Sequence, residues 1–347
     1  MPLFKNRDYI LDILIILYSL LGLLGLFAVS ADYFYKQVYF YVFSIFLYFI
    51  VPIIPKKYLD ISIWFAYFGN FIFLLILYFF GRTVRGSASW ISFGFFNFQP
   101  GELSKFILLY IFSLILSLNV SRVRKALFSL ILYIPVSLLV ILQPDFGMFF
   151  ILSLIFFSSI FISILKFKEF LLLSVALVIL SLGFYGLLQD YQKTRITSFF
   201  SQSEDLLGSN YNVFQSQVAL GSAGVFGKGI NNNTQVKLGF LPENHTDFIF
   251  AGSTEAFGIV YALALTVVFL ILVLYLGKIY IIKNENRFYL CYSFGLISAF
   301  FIQTILNIGM NLGIFPVTGL TLPFVSYGGT SLLTYFLMFS VLHTRDK

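Results

Sequence analysis

Long apolar runs are the feature that most constrains this chain. Ten runs approach the roughly 20 residues that a helix needs to cross a bilayer. They occupy about residues 10–29, 37–54, 61–80, 102–118, 126–142, 146–165, 170–189, 248–276, 289–312 and 324–342. With 59% hydrophobic and only 11% charged residues, the runs have too little polar sequence around them for a water-soluble globule. The sequence therefore predicts an all-α polytopic membrane protein with about ten transmembrane helices in a single integral membrane domain, 1–347.

The first run resembles a secretory signal at its end, where Ala28 to Ala31 read AlaValSerAla after the basic residues Lys5 and Arg7. Its apolar part is longer than a typical signal core, and nine further spans follow. We therefore expect an uncleaved helix.

The distribution of basic residues predicts the orientation. If the N-terminus is cytoplasmic, most of the 22 Lys and Arg residues lie in short inside segments, as the positive-inside rule requires. These inside residues are Lys5, Arg7, Lys56, Lys57, Arg122, Arg124, Lys125, Lys166, Lys168, Lys278, Lys283, Arg287, Arg345 and Lys347. The others are Lys36, Arg82, Arg85, Lys105, Lys193, Arg195, Lys228 and Lys237. We thus expect both termini inside the cell and segment 190–247, between spans seven and eight, to be one long extracytoplasmic loop.

Several chemistries find no support in the residues. His245 and His343 lie at opposite ends of this topology, so they form neither a histidine metal cluster nor a Ser-His-Asp site. Cys291, the single cysteine, excludes an internal disulfide and a thiolate metal site. The stretch GSAGVFGKG (221–229) resembles a phosphate loop but lacks its spacing, and is more typical of a flexible outer turn. The net charge of +7 is explained by anchoring to anionic lipid and predicts no nucleic-acid partner.

Polar residues collect instead at the predicted outer ends of the helices. In QPGELSK (99–105), Pro100 is suited to a helix start, and Glu102 and Lys105 stand three apart, where they can pair. We expect a structural pair that fixes the fourth span, with a direct part in catalysis as the alternative. Asp145 lies in the turn QPDFG, either as an ordinary turn residue or as part of a site. The segment 307–329 carries seven Gly or Pro residues, so we expect non-helical backbone that faces protein or a wet cavity.

The most concentrated polar stretch is FLPENHTDFIF, residues 240–250, at the mouth of the eighth span. Two carboxylates and one of the two histidines fall within five positions there: Glu243, His245 and Asp247. They are either a solvated acidic loop or a reactive site held at the membrane surface.

Six motifs in this order resemble the SEDS family (shape, elongation, division and sporulation). They are WIxxGxxxFQPxELxK, LQPDFG, YxxxRI, the run from Tyr211 to Gly229, TQVxLGFLPExHTDFIF and NIGMNLGxxPVTGLTLPFxSYGG. The resemblance extends from about residue 80 to the C-terminus, and the last two motifs are long and specific. Three positions depart from the family pattern: Ser89 stands in place of Arg, Gly101 in place of Ser, and Ala256 in place of the second Glu of a pair.

The resemblance implies a peptidoglycan glycosyltransferase that polymerises lipid II on the outer face of the cytoplasmic (inner) membrane. The sugar hydroxyl of one lipid-linked substrate would attack the anomeric carbon of another and displace polyprenyl pyrophosphate with inversion. The position of Asp247, between an outer loop and a helix N-terminus, fits the general base, and the resemblance points to the same residue. Glu243 is expected to orient groups nearby or to be solvated.

The remaining site expectations concern substrate binding. Lys193, Arg195, Lys228 and Lys237 lie outside despite the positive-inside rule, so they are candidates to bind the pyrophosphate. His245, Asp145, Glu255 and Ser326 belong to the same motifs and are expected to support the site. A divalent cation is a further candidate, although no ligand set is legible.

Three questions stay open at this stage. Within the family, GKG, TQ and HTDFIF favour an elongation-type protein, whereas TGLTLPF is closer to a division-type one; we favour elongation. A lipid II flippase would also have broken helices, but its charges should lie near the bilayer midplane. The third possible function is a catalytically silent scaffold that docks a class B penicillin-binding protein. If the protein is an enzyme, we expect its partners to be this class B penicillin-binding protein, a transpeptidase, and the elongation machinery.

Overall fold

The computed structural model describes residues 7–81, 89–94, 96–166, 168–169, 210–282 and 286–344. Six helices come first: α1 (Tyr9–Val29), α2 (Ala31–Ile50), α3 (Lys56–Phe80), α4 (Pro100–Ser117), α5 (Arg122–Leu142) and α6 (Phe146–Ser163). Five follow: α7 (Tyr211–Ser222), α8 (Thr234–Lys237), α9 (Ile249–Leu276), α10 (Arg287–Asn311) and α11 (Gly329–Ser340). A small antiparallel hairpin, β1 (Ile91–Ser92) and β2 (Asn97–Phe98), joins α3 to α4, with Ile91 opposite Phe98.

The predicted all-α membrane fold is confirmed. Within the described ranges, eight helices are long and apolar enough to cross a bilayer: α1 to α6, α9 and α10. Helix α11, with its short extension to His343, is a shorter apolar helix. The predicted span 170–189 lies outside the described residues.

The last predicted span, 324–342, begins later than expected, because regular helix starts only at Gly329. Residues 312–328 are turns and irregular backbone, as the prolines and glycines of that segment predicted. The described part of the predicted loop 190–247 is not featureless, since it contains α7 and α8.

Helix α4 lies at the centre of the bundle. It packs against α3, α5, α6, α10 and α11, and nearly all of its side chains are buried. Pro100 is its first residue, as predicted, where a missing N–H costs nothing. Phe300 of α10 packs against Phe324 of the irregular segment and against Tyr335 of α11. The distances between ring centroids are 6.1 Å and 5.8 Å. The irregular segment is thus embedded in the core.

A polar cluster closes the opposite end of the bundle from His245. Asp12 of α1 accepts hydrogen bonds from Arg7 at 2.5 Å and from the Tyr48 hydroxyl of α2 at 2.6 Å. The ring of His343, after α11, lies 3.2 Å from the same carboxylate. These contacts join α1 and α2 to the residues that follow α11.

Candidate active site

The acidic stretch before α9 is a compact series of turns. Glu243 adopts a left-handed conformation, with φ of 53°, which is unusual for a residue other than glycine. Its carbonyl accepts the N–H groups of Thr246 (3.2 Å) and Phe248 (3.1 Å). The Thr246 hydroxyl donates to the Glu243 carboxylate at 3.1 Å. Glu243 therefore organises the turn that presents Asp247, which is half-buried and lies two residues before the start of α9 at Ile249.

Three consecutive backbone carbonyls of this turn are held by partners from distant parts of the chain. The Tyr327 N–H donates to the His245 carbonyl at 2.8 Å. The Ser326 hydroxyl donates to the Thr246 carbonyl at 2.6 Å. The Asp247 carbonyl accepts from two side-chain amides of α10, described below. We call this arrangement, carbonyls 245 to 247 with their donors, the carbonyl clamp; it fixes the backbone of Asp247 on both sides of its Cα.

The two amides belong to a buried polar stripe on α10. Gln303, Asn307 and Asn311 follow one another at four-residue spacing, so they share a face of the helix. Asn307 and Asn311 donate to the Asp247 carbonyl at 3.1 and 3.0 Å. Asn307 also donates to the Leu320 carbonyl at 2.8 Å, and Gln303 to the Thr321 carbonyl at 2.8 Å. The stripe thus connects the irregular segment to the turn at Asp247.

The sequence interpretation missed the residues of this stripe. Three amides in a span of otherwise apolar character were the available signal, since buried polar groups in a membrane require partners. Their partners are backbone carbonyls of segments far away along the chain. For that reason the sequence did not identify which groups they hold.

The N-terminal end of α2 completes this side of the site. The ring of Tyr33 stacks on the ring of His245, with 3.9 Å between centroids and 5° between planes. Tyr33 also lies 4.6 Å from the Tyr327 ring. One turn further along, the buried Gln37 donates to the Ser326 carbonyl and accepts from the Gly328 N–H, both at 3.2 Å. The predicted site residues His245 and Ser326 are therefore together, and α2 is an additional wall that was not expected.

Glu255 and Lys228 form an ion pair away from the clamp. The Lys228 ammonium lies 2.8 Å from the fully buried Glu255 carboxylate of α9. The same carboxylate accepts from the Thr234 hydroxyl at 3.0 Å and from the Gln235 N–H at 3.1 Å. One lysine matches one carboxylate here, since residue 256, where the family resemblance implies a second acid, is alanine.

Near the ion pair, segment 224–229 packs against α9 at a break in that helix. Gly258 interrupts that helix with φ of 81°. The N–H groups of Lys228 and Gly229 donate to the carbonyls of Glu255 and Ala256, both at 2.9 Å. A side chain at Gly227 would overlap the Ala256 carbonyl, so the glycine permits this close approach. Segment 224–229 is accordingly bonded to the helix, rather than the flexible turn that its composition favoured.

The other predicted residues lie in separate places. Lys237 donates to the Asn231 side chain at 3.1 Å on an exposed surface. Asp145 caps α6 through the Met148 N–H at 3.0 Å and accepts from Gln99 at 3.0 Å. Burial raises the pKa of the Asp145 carboxyl, against the effect of these hydrogen bonds. Lys193 and Arg195 lie outside the described residues.

Glu102 and Lys105 form a buried pair on α4, with 2.5 Å between the carboxylate and the ammonium. The ammonium also donates to the Gln303 side chain at 3.0 Å, and the Tyr335 hydroxyl donates to that same oxygen at 2.7 Å. The pair thus contacts the polar stripe through Gln303. Among the described residues it has no direct hydrogen bond to the carbonyl clamp.

No group of three or more His, Cys, Asp or Glu side chains within the described ranges is arranged to hold a metal ion. Glu243 and Asp247 belong to one turn, but no third acidic residue among those described joins them. The acidic residues described here do not fit a dedicated cation site.

Asn311 tests the importance of the clamp. Asn311→Leu removes a donor to the Asp247 carbonyl and the acceptor of the Ala251 N–H, which lies at 3.1 Å. Leaving buried polar groups without these partners is expected to cost about 1–3 kcal/mol of stability. Thermal unfolding in detergent measures this, with Asn232→Leu on the exposed loop as the control. Equal melting temperatures for the two variants would contradict the arrangement.

The fold and this site define a polytopic membrane protein in which a buried hydrogen-bond network holds the backbone of an acidic residue, Asp247, just before a membrane helix. The chain belongs to the cell cycle protein family of FtsW, RodA and SpoVE, whose model matches residues 9–346. This is the SEDS family that the motifs indicated.

Named relatives come from both branches of the family. The chain is 35% identical over 298 residues to a probable peptidoglycan glycosyltransferase FtsW of Coxiella burnetii, covering 81% of this chain and 79% of that protein. It is 33% identical over 277 residues to the peptidoglycan glycosyltransferase MrdB of Escherichia coli K12, covering 77% and 74%.

Solved structures share the fold. A chain from a peptidoglycan synthase complex, solved to show how polymerization and crosslinking are coordinated, matches with a TM-score of 0.83 and 26% identity, over 98% of this chain and 97% of that one. The rod shape determining protein RodA of Thermus thermophilus matches with a TM-score of 0.73 at 24% identity, over 98% and 96%.

Proposed function

We propose that this protein is a peptidoglycan glycosyltransferase that polymerises lipid II into glycan strands. The carbonyl clamp is the observation that carries the proposal, because so many buried donors fix one short acidic turn. An enzyme gains rate from a catalytic group that is held in place before the substrate arrives. The named relatives supply the reaction class.

Asp247 is the proposed general base. It accepts the proton of the attacking sugar hydroxyl while the new bond to the anomeric carbon forms. The bond from that carbon to the diphosphate oxygen breaks, and polyprenyl diphosphate leaves with both electrons. A single displacement of this kind inverts the anomeric centre and requires one base. Glu243 and Thr246 act on the turn that carries the base.

We assign the protein to cell elongation rather than division. The motifs GKG, TQ and HTDFIF support elongation, while identity to the named FtsW and MrdB relatives is nearly equal. Depletion of the protein in its own cells tests the assignment. Rounded cells are expected, and filaments with unfinished septa would instead assign it to division.

The active site is proposed to face the outside of the cytoplasmic membrane, with both termini inside. A cysteine at exposed Asn232 is expected to react with a membrane-impermeant thiol reagent in intact cells, whereas one at exposed Asn119, before α5, is expected not to react. The native Cys291 is buried and gives little background. Labelling at Asn119 alone would reverse the orientation and overturn the site assignment.

A class B penicillin-binding protein is the proposed partner, supported by the similarity to a chain of a peptidoglycan synthase complex. The decisive experiment places the purified protein in liposomes with lipid II, with and without such a partner. Glycan strands of increasing length are expected. Movement of lipid II across the membrane without polymer would show a flippase.

A further inference from the structure

The outer turn of α2 presents three residues to the site. Tyr33, Lys36 and Gln37 lie on one face of the helix because they are three and four residues apart. Gln37 is bonded to the irregular segment at Ser326 and Gly328, and Tyr33 is stacked on His245. Their contacts fix this turn of α2 beside the clamp, and with it the position from which Lys36 extends.

Lys36 differs from the other described basic residues on this side of the protein. Lys105 and Lys228 form ion pairs with Glu102 and Glu255, and Lys237 donates to Asn231. The Lys36 ammonium lies 5.4 Å from the centre of the Tyr33 ring. No carboxylate of the described residues is within ion-pair distance of it.

The contact with Tyr33 restricts where the charge of Lys36 can lie. A cation over an aromatic face is attracted to the ring without being neutralised, so it keeps its charge for a ligand. The lysine side chain is exposed, and Tyr33 is half-buried. An accessible positive charge therefore lies next to the ring that stacks on His245, two residues before Asp247.

We propose that Lys36 binds the diphosphate group of the polyprenyl-linked substrate, with Tyr33 and Gln37 as the residues that position it. This inference rests on the proposed function for the identity of the lipid. Diphosphate is the charged part of such a substrate and bears the charge of the leaving group, so an ammonium next to the ring that stacks on His245 stabilises both the complex and the departing anion. The inference moves this role away from Lys228, whose charge is already matched by Glu255.

The test measures binding of undecaprenyl diphosphate and of uncharged undecaprenol to the full-length protein in nanodiscs. Lys36→Met is expected to weaken binding of the diphosphate about tenfold or more, the usual contribution of a hydrogen bond to a charged group. Binding of undecaprenol is expected to stay unchanged. Lys36→Arg keeps the charge and is expected to bind within about threefold of the wild type.

Lys57→Met is the control, since it removes one exposed lysine in the first turn of α3, away from the clamp. Its affinity for the diphosphate is expected to equal that of the wild type. Higher salt is expected to weaken wild-type binding more than that of Lys36→Met, because an exposed charge is screened. Equal affinity of Lys36→Met and wild type for the diphosphate would overturn the inference.

Polymerisation by the same preparations separates the two proposals. If the wild type polymerises lipid II and Lys36→Met binds and polymerises equally well, only the inference about Lys36 is wrong. If the wild type binds undecaprenyl diphosphate through Lys36 but makes no polymer, the inference stands and the proposed function is wrong.

Discussion

Asp247→Asn is expected to lower the rate of lipid II polymerisation by about 10²- to 10⁴-fold, the usual contribution of a general acid or base. Asparagine keeps the size of the side chain but cannot accept the proton. The carbonyl clamp holds the backbone of residue 247, not its side chain, so the turn is expected to persist. Polymerisation by purified protein in liposomes measures the effect.

Two comparisons make this result specific. Binding of lipid II by Asp247→Asn should stay close to that of the wild type, since the loss concerns proton transfer. Glu243→Gln should cost less activity, because a glutamine oxygen can still accept from the Thr246 hydroxyl. A purified Asp247→Asn protein that polymerises at the wild-type rate would place the base elsewhere.

Much of the bundle could be predicted because lipid leaves an apolar run of about 20 residues few options besides a helix. Helix α4 begins at Pro100 and the turn at Asp145 lies between α5 and α6, as expected from their local chemistry. The irregular backbone before α11 followed in the same way from its prolines and glycines.

The features that could not be predicted from the sequence depend on contacts between distant segments. Gln37 and Ser326 are 289 positions apart, and no local pattern shows that they meet. The break in α9 at Gly258 could not be predicted either, because single glycines are common in membrane helices. The segment that bonds to the helix at this break, 224–229, precedes α9 by about twenty residues. Asp247 was predicted as a site residue from its motif and its place before a helix, but the side chains that hold its backbone carbonyl come from α10, 60 and 64 positions away.

The pair on α4 is expected to show the largest effect on stability. Single replacement of either Glu102 or Lys105 leaves a buried charge without its partner, which typically costs about 3–5 kcal/mol. Lys105→Met is expected to be the worse of the two. In Glu102→Gln, the ammonium keeps its bond to Gln303 and its contact with the Tyr335 ring at 4.7 Å.

The double replacement Glu102→Gln with Lys105→Met is expected to recover membrane protein levels beyond either single variant, because neither position then carries a buried charge. Gln303 loses one donor but still accepts from the Tyr335 hydroxyl. Ser113→Ala on the same helix is the control, since among the described residues that hydroxyl bonds within its own helix, to the Leu109 carbonyl. Protein level and thermal unfolding in detergent give the comparison. Normal protein levels in both single variants, together with lost polymerisation, would mean instead that the pair acts in catalysis. The polar stripe of α10 would then connect the pair to Asp247, because Lys105 bonds to Gln303.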